Sequence, residues 1–253
     1  MFDIQEIISI AKHAGGIILS YYDNEEVGVN YKTNLSPVTQ ADLASNHFIC
    51  ESLTKLFPTI PIISEENEEN NHYSSRIFWL VDPLDATQSF IERRGEFTVN
   101  IGLIIDSKPV LGVVYAPLSK RIYYVDESKI AYKQINDQDP VAISARTIPA
   151  ETGAVILTSV LSNNQGQLSL YLRNKKVDKI IPISSSIKIC MIAEGVADLY
   201  PRFGKTMEWD TAAAHAILNA AGGSIQNLNG IELSYGHFDL GYYNPEFIAL
   251  KLV

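Results

Sequence analysis

The chain has 253 residues, a length that suits one large domain or two fused lobes around a sizeable core. Apolar residues make up 46% and charged residues 19% of it, which is ordinary for a water-soluble protein. The formal net charge of −9 argues against a general nucleic-acid-binding protein, because such proteins carry a basic face. A small phosphorylated substrate stays compatible with this charge, because a bound cation reverses the local sign.

The sequence offers no candidate segment for membrane insertion or export. No apolar run reaches the ~18 residues that a membrane span needs, and the acidic start of the chain lacks the basic residues and cleavage site of a signal peptide. We therefore expect an intracellular protein. Cys50 and Cys190 lie in apolar helical patterns without metal-ligand spacing, so we expect buried structural thiols rather than a zinc site or a disulfide.

The first half of the chain is predicted to form two helices followed by a mostly antiparallel sheet. Apolar residues three and four apart predict helices over 4–22 and 40–57, and Pro58 ends the second. The acidic segment 66–75 is predicted to be a solvated loop. Runs rich in β-branched and aromatic residues predict strands over 77–81, 97–105, 110–116 and 121–125, with a hairpin turn at 106–109.

The second half alternates between strands and helices, which predicts a smaller α/β lobe. The polar stretch 133–153 is interpreted as the junction, giving an N-terminal α+β lobe over 1–135 and a C-terminal lobe over 136–253 that form one functional unit. The predicted strands are 154–159, 179–183 and 197–201, and the predicted helices are 165–174, 186–195 and 210–221. Gly222-Gly223 closes the last helix, and a final strand pair flanks the turn Asn229-Gly230.

Two carboxylates three residues apart directly follow the predicted strand 77–81, in the sequence Asp82-Pro83-Leu84-Asp85-Ala86-Thr87. Pro83 fixes φ and has no N–H, so we expect the chain to leave the sheet there and turn. Clustered carboxylates raise one another's pKa unless a cation lies between them, and Mg²⁺ prefers such all-oxygen sites. The hexapeptide alone fits an acidic turn that caps the next segment equally well.

Three further acidic residues stand at a predicted strand end or helix start. Glu65 follows the apolar run 60–63, while Asp42 and Asp210 each open a helical pattern. Active sites of layered α/β proteins are usually built at such positions, which favours a metal site. Each residue also has a structural alternative. Asp42 lies at the capping-box distance from Thr39, and Asp210 suits the dipole at a helix N-terminus. Glu65 could be a surface acid beside the loop.

Four separated segments, in the same order, resemble the inositol monophosphatase superfamily of Mg²⁺-dependent phosphatases. Within it the chain looks like the CysQ-type 3'(2'),5'-bisphosphate nucleotidases. The segments are Ser36-Pro37-Val38-Thr39-Gln40-Ala41-Asp42, Ser64-Glu65-Glu66, Trp79 to Thr87, and Tyr200-Pro201-Arg202-Phe203-Gly204 through Met207-Glu208-Trp209-Asp210-Thr211-Ala212-Ala213. The resemblance implies the α+β fold of inositol monophosphatase and fructose-1,6-bisphosphatase, a layered αβαβα sandwich with the metal site between the lobes.

The resemblance also implies roles for individual residues. Two or three Mg²⁺ ions per site would be held by the carboxylates of Glu65, Asp82, Asp85 and Asp210 and by the main-chain carbonyl of Leu84. Thr87 would hold the attacking water, and Asp42 would orient it. Two Mg²⁺ ions roughly 3.5–4 Å apart can activate a water and stabilise the leaving oxygen of an in-line displacement.

Five residues are implied to contact the substrate: Ala86, Thr87, Lys188, Arg202 and Asp210. Lys188, in the segment Ser185-Ser186-Ile187-Lys188, and Arg202 match family residues that approach the nucleotide and its second phosphate. The fork of an Arg side chain suits a phosphate group. The alternative is a solvent-exposed Lys188 and an Arg202 that forms a structural ion pair.

The chain departs from the family pattern in two regions. Ala86 stands where the family has Gly, a residue typical of crowded or positive-φ positions, so we expect a shifted turn or a narrower approach for the phosphate. The following Gln88-Ser89-Phe90 replaces a usual Lys-Glu-Phe and removes charge near the metals. The segment Thr158-Ser159-Val160-Leu161-Ser162 stands where these nucleotidases carry a Ser-Arg-Ser-His-like sequence, so an Arg and a His expected near the substrate are absent.

The leading hypothesis is a Mg²⁺-dependent phosphomonoesterase, inhibited by Li⁺, that converts 3'-phosphoadenosine 5'-phosphate to AMP and phosphate. An inositol or sugar monophosphatase of the same superfamily is the first alternative, because it would share the catalytic residues. A catalytically weak regulatory or binding relative is the second, favoured by Ala86 alone. The expected partner is a small phosphorylated molecule, not a nucleic-acid polymer. We expect a monomer or homodimer, in the cytoplasm or peripherally on the inner membrane.

Overall fold

A computed structural model describes residues 2–23, 29–31, 37–67, 75–160 and 164–252 of the chain. Within these residues the α-helices are α1 (Ile4–Tyr22), α2 (Gln40–Leu56), α3 (Thr87–Ile91), α4 (Gln165–Leu172), α5 (Ile187–Ala193) and α6 (Ala212–Ala220). The strands are β1 (Val29–Tyr31), β2 (Pro37–Thr39), β3 (Ile62–Ser64), β4 (Ile77–Asp85), β5 (Thr98–Ile105), β6 (Lys108–Ala116), β7 (Arg121–Val125), β8 (Ala131–Ile135), β9 (Val141–Ala142), β10 (Ala154–Thr158), β11 (Val177–Pro182), β12 (Leu199–Arg202), β13 (Gly223–Asn227) and β14 (Phe247–Lys251). Short 3₁₀ helices cover Glu208–Asp210 and Phe238–Leu240.

The elements stack in five alternating layers of helices and sheets. α1 and α2 cover one face of a seven-stranded sheet with the strand order β3-β4-β5-β6-β7-β8-β9. α5 and α6 lie between that sheet and a five-stranded sheet with the order β11-β10-β12-β14-β13, and α4 packs on the far side. The αβαβα sandwich expected from the resemblance is therefore confirmed.

The alternation of side chains along the strands explains the layers. In β10, Val155 and Leu157 belong to the core around α5 and α6, whereas Ala154 and Ile156 pack with α4, because successive residues of a strand point to opposite faces. Close contact between layers also needs a residue without a side chain. A Cβ on Gly112 of β6 would lie 2.0 Å from the carbonyl oxygen of Ala213, so glycine allows α6 to lie directly on the sheet.

The strand β4 carries two of the predicted metal ligands and is longer than the sequence predicted. It pairs antiparallel with β5 at Asp82 and again at Asp85, and the register is irregular between these two residues. Pro83 has no N–H to donate and is tolerated in a sheet where a bulge interrupts the hydrogen bonding. The expectation that the chain leaves the sheet at Pro83 is therefore wrong, because β4 bulges there and resumes its pairing.

The other element predictions agree with the structure to within a few residues at most ends. The turn between β5 and β6 has Asp106 and Ser107 at φ values of 51° and 61°, as a two-residue hairpin requires. The strand pair predicted around Asn229-Gly230 is different: an isolated bridge joins Gln226 to Glu232, while β13 forms its ladder with β14. The lobe boundary at 135/136 stays a prediction.

Some predictions fall on residues that the structure does not describe, namely Ser36, most of the loop over 66–75, and 161–162. Cys50 is half-buried in α2 and Cys190 is buried in α5, and both are free thiols. Across the described part of the chain, no helix combines the length and the apolar character that a bilayer crossing requires.

Candidate active site

Three carboxylates from distant parts of the chain converge at one point, and we call Glu65, Asp82 and Asp210 the acidic cluster. One oxygen of each lies within 4.8 Å of the others. The backbone N–H of Glu65 donates to the carbonyl of Val81 at 3.1 Å, which ties the segment after β3 to β4. The N–H of Met207 donates to Oδ2 of Asp210 at 2.8 Å and fixes this carboxylate just before α6.

The acidic cluster is electrostatically unfavourable without a cation. Burial is the main cause that raises the pKa of Asp82 well above its usual range, and the charges of Glu65, Asp85 and Asp210 raise it further. Burial also raises the pKa of Asp210, with Asp85 and Glu65 adding to the effect. Oxygen ligands and net negative charge suit hard divalent cations, so the residues present fit such an ion.

Asp85 and Leu84, the other two predicted ligands, lie beside the cluster. Asp85 is not one of the three convergent residues, although its charge raises the pKa of Asp82 and of Asp210. Its Oδ2 accepts the backbone N–H of Ser186 and, at 3.3 Å, the hydroxyl of Thr98. The carbonyl of Leu84 lies 3.2 Å from Oγ1 of Thr87. Asp85 therefore joins β4 to the segment that leads into α5.

Asp42 combines the two roles that the sequence left open. Its Oδ2 accepts the backbone N–H of Thr39 at 2.8 Å, which completes the capping box of α2. Its Oδ1 accepts the hydroxyl of Thr87 at 3.0 Å. Burial raises the pKa of Asp42 above its usual value, although the hydrogen bonds from Thr39 and Thr87 oppose this shift. The cap holds the carboxylate still while its second oxygen orients Thr87.

Ala86 adopts the left-handed conformation, with φ 70° and ψ 49°. Its carbonyl accepts the N–H groups of Ser89 at 2.8 Å and Phe90 at 3.2 Å, so the turn into α3 is formed. A residue with a Cβ pays roughly 1–2 kcal/mol for this conformation. Ala86 therefore carries backbone strain in a formed turn, and the expected shift of the turn or narrower approach for the phosphate stays a prediction.

Two cationic side chains, Lys188 and Arg202, line one cavity together with Asp85 and Asp210, and we call them the basic pair. Lys188 is 3% exposed, which rules out the solvent-exposed alternative. Its ammonium donates to the carbonyl of Ser185 and lies 5.0 Å from the ring centroid of Tyr200. Burial lowers the pKa of Lys188 to about 8, while the charge of Asp85 opposes that change. Arg202 donates to the carbonyl of Lys205 at 3.0 Å.

The cavity encloses about 200 Å³ and is bordered by Asp85, Ala86 and Asp210 as well as by the basic pair. A second cavity of about 370 Å³ adjoins it and shares Ser159 and Arg202. Much of the apolar lining of this second cavity comes from Leu168, Ile180, Pro182, Pro201 and Phe203. A polar phosphate and an apolar group could therefore occupy neighbouring spaces on either side of Arg202.

The sequence reasoning missed several residues that hold the site together. Ser184 donates its backbone N–H to Glu96 at 2.7 Å, and its hydroxyl accepts that of Ser89 at 2.8 Å. Glu208, fully buried, accepts the backbone N–H groups of Gly236 at 2.6 Å and His237 at 2.9 Å, which anchors the segment before Asp210. The local signals for these contacts are the three consecutive serines 184–186 and Glu208 beside the Trp-Asp motif. They do not reveal the hydrogen-bond partners, which lie far away in the sequence.

Fold and site together define a layered αβαβα protein with a carboxylate cluster suited to a divalent cation beside a cationic cavity. The chain belongs to the inositol monophosphatase family, a family of metal-dependent phosphatases, whose model matches residues 3–249. This confirms the resemblance drawn from the four sequence segments.

Individual relatives narrow the similarity. The 3'(2'),5'-bisphosphate nucleotidase CysQ of Salmonella typhimurium is 40% identical to this chain over 249 residues, which cover 96% of the chain and 98% of the relative. The protein of the same name from Buchnera aphidicola is 40% identical over 265 residues, 98% of this chain and 94% of that one. The crystal structure of CysQ from Bacteroides thetaiotaomicron has a TM-score of 0.80 at 33% identity and covers 98% of this chain and 96% of that one.

Proposed function

We propose that this chain is a Mg²⁺-dependent phosphomonoesterase that hydrolyses 3'(2'),5'-bisphosphate nucleotides, converting 3'-phosphoadenosine 5'-phosphate to AMP and phosphate. The observation that carries the proposal is the cavity itself, in which Asp85 and Asp210 share one space with Lys188 and Arg202. A substrate with two phosphates needs a metal site for one and cations for the other. The names of the relatives favour the same substrate class.

The acidic cluster, Asp85 and the carbonyl of Leu84 would hold the Mg²⁺ ions of this enzyme. When bound, these ions would neutralise charge on the phosphoryl oxygens and make water more acidic. The raised pKa values of Asp82 and Asp210 support this assignment, because burial and mutual repulsion both disfavour the charged carboxylates and a bound cation would favour them.

Thr87 and Asp42 would orient the attacking water. Because Asp42 Oδ1 accepts the hydroxyl proton of Thr87, a lone pair of Thr87 Oγ1 stays available to accept a proton from water. The water oxygen would then face the phosphorus atom. Burial raises the pKa of Asp42, which makes it a better proton acceptor than a surface aspartate.

The basic pair would hold the phosphate that is not cleaved. The Nε atom of Arg202 is buried and has no hydrogen-bond acceptor among the described residues, so it can donate a hydrogen bond to a ligand. Burial disfavours the charge of Lys188, and a phosphate dianion beside it would favour that charge again. In the second cavity, Phe203 and Leu168 provide an apolar surface on which a nucleobase could pack.

A second candidate is an inositol or sugar monophosphatase. The observation that favours it is the lining of the second cavity by Thr158, Ser159 and Val160, none of which carries a positive charge. The metal ligands and the Thr87–Asp42 pair would serve both reactions equally. The two candidates therefore differ in substrate but share the mechanism.

Phosphate release from 3'-phosphoadenosine 5'-phosphate and from inositol 1-phosphate, measured side by side with Mg²⁺, tests the proposal. We expect a strong preference for the nucleotide, loss of activity with EDTA and inhibition by Li⁺. A preference for the inositol ester would transfer the protein to the second candidate. No turnover of either compound would contradict both and favour a binding or regulatory relative.

A further inference from the structure

Glu65 lies at the corner of a tight turn whose two ends are Ser64 and Asn67. The backbone N–H of Asn67 donates to the carbonyl of Ser64 at 3.2 Å, which closes a four-residue turn with Glu65 and Glu66 in the middle. The pairing of β3 with β4 and the bond from the Glu65 N–H to Val81 hold the Ser64 end, whereas Asn67 lies beyond the strand and can move unless a side-chain contact holds it. The position of the Glu65 carboxylate therefore depends on the contacts that join Asn67 to Ser64.

Asn46, on helix α2, contacts the side chains at both ends of this turn. Its Oδ1 accepts the hydroxyl of Ser64 at 2.6 Å, and its Nδ2 donates to Oδ1 of Asn67 at 3.0 Å. Ser64 is fully buried, so its hydroxyl needs a protein partner. One amide group thus joins the first and last residues of the turn that presents Glu65.

Asn46 belongs to a face of α2 that reaches all the first-lobe segments of the site. Asp42, one helical turn earlier, accepts the hydroxyl of Thr87 at 3.0 Å. Ser45 donates to the carbonyl of Pro83 at 2.9 Å, inside the bulge between Asp82 and Asp85. Residues three and four apart lie on one side of a helix, so this single helix sets the relative positions of the three segments.

We propose that Asn46 is a positioning residue that fixes Glu65 in the acidic cluster and thereby sets the affinity of the site for divalent cations. The inference rests on the proposed metal-dependent function but not on the identity of the substrate. Asn46 contacts neither Thr87 nor the basic pair through any hydrogen bond in the described residues. Its loss should act on metal binding far more than on the chemical step.

The test is Mn²⁺ binding to the substrate-free protein, followed by electron paramagnetic resonance, for the wild type and Asn46→Leu. Leucine is close in size to asparagine but makes neither hydrogen bond. We expect the dissociation constant for Mn²⁺ to rise about tenfold, the lower end of the effect of residues that orient metal ligands. With saturating Mg²⁺ we expect kcat to stay within about threefold, because the groups that act on the water are unchanged.

Three further variants keep the test decisive. Ser64→Ala removes one partner of Asn46 and should weaken Mn²⁺ binding in the same direction even if Asn46→Leu folds poorly, and the double variant should bind no more weakly than Asn46→Leu alone. His47→Ala, at the exposed neighbouring position, is the matched control and should bind like the wild type.

Unchanged Mn²⁺ affinity in folded Asn46→Leu and Ser64→Ala would overturn the role of Asn46 and leave the proposed function intact. A fall in kcat at saturating metal with unchanged affinity would also overturn it. Failure of the wild type itself to bind Mn²⁺ would contradict the proposed function instead.

Discussion

Asp210 of the acidic cluster and both residues of the basic pair line one cavity, yet the hydrogen bonds of the two groups differ. Backbone groups fix the acids: the N–H of Met207 holds Asp210, and the segment of Glu65 is tied to Val81. The charged ends of the basic pair are also bonded to the backbone, through the carbonyls of Ser185 and Lys205, but Arg202 Nε has no acceptor within the described residues. That unused donor suits a phosphate oxygen, whereas the carboxylates suit a metal ion.

Burial acts against the charge of both groups. It raises the pKa of Asp82 and lowers that of Lys188, so the charged form of each side chain is disfavoured until an ion of opposite charge binds beside it. We therefore expect a cation and an anion to bind cooperatively at this site. Substitutions at Asp82, at Thr87, at Arg202 and Lys188, and at Ala86 test these assignments, in order of decreasing expected effect.

Asp82→Asn should remove a ligand of the acidic cluster and lower kcat/KM by about 1,000-fold or more. Metal ions stabilise such transition states by several kcal/mol, and each ~1.4 kcal/mol corresponds to a factor of ten in rate. In EDTA the same variant should unfold at a higher temperature than the wild type, because a buried, repelled carboxylate is gone. Steady-state kinetics and thermal unfolding measure the two effects. Activity close to that of the wild type would contradict the assignment of Asp82 as a metal ligand.

Thr87→Val removes the hydroxyl between Asp42 and the water and should lower kcat about 100-fold or more, as expected for a lost proton acceptor. Thr87→Ser keeps the oxygen and serves as the control, with most of the activity retained. Mn²⁺ affinity should stay unchanged in both. Equal kcat values for the two variants would exclude a role for the hydroxyl.

Arg202→Met should raise KM for 3'-phosphoadenosine 5'-phosphate about tenfold or more, the value of one charge-assisted hydrogen bond. Lys188→Met should act in the same direction, while hydrolysis of inositol 1-phosphate should change little in either variant. Kinetics on both substrates distinguish a phosphate contact from general damage. Survival of full activity on the bisphosphate after both changes would show that the substrate assignment is wrong.

Ala86→Gly should have the smallest effect. It relieves the left-handed strain but adds chain entropy to the unfolded state, leaving a net stabilisation of about 0.5–1 kcal/mol. Because the turn is already formed, kcat should change less than about twofold. Urea unfolding and kinetics measure both quantities. A sharp rise in kcat would mean that Ala86 distorts the phosphate approach after all.

Local sequence predicted most of the elements because periodicity and turn residues report them directly. The error at Pro83 is instructive: proline usually ends a strand, and the sequence alone does not reveal that β5 continues to pair beyond a bulge at Asp85. The end of β4 is therefore set by its pairing with β5 and not by the local conformational preference of proline.

The candidate site was predictable only where residue type and chemistry coincide. Carboxylates at strand ends and helix starts predict the acidic cluster, and the pattern around Asp42 fits both a helix cap and a residue of the site. Asn46, Ser45 and Glu96 carried no local signal, because each acts through a partner at least 18 residues away. The burial of Lys188 likewise depends on the packing of α5 between the sheets.

Anomalous diffraction from crystals grown with Mn²⁺ and AMP would locate the cation and the phosphate together and so test whether they bind side by side. We predict a Mn²⁺ peak bordered by Glu65, Asp82 and Asp210, with the 5'-phosphate of AMP beside Lys188 and Arg202. A Mn²⁺ peak elsewhere, or a phosphate bound away from the basic pair, would contradict the division of the cavity into a metal side and a phosphate side.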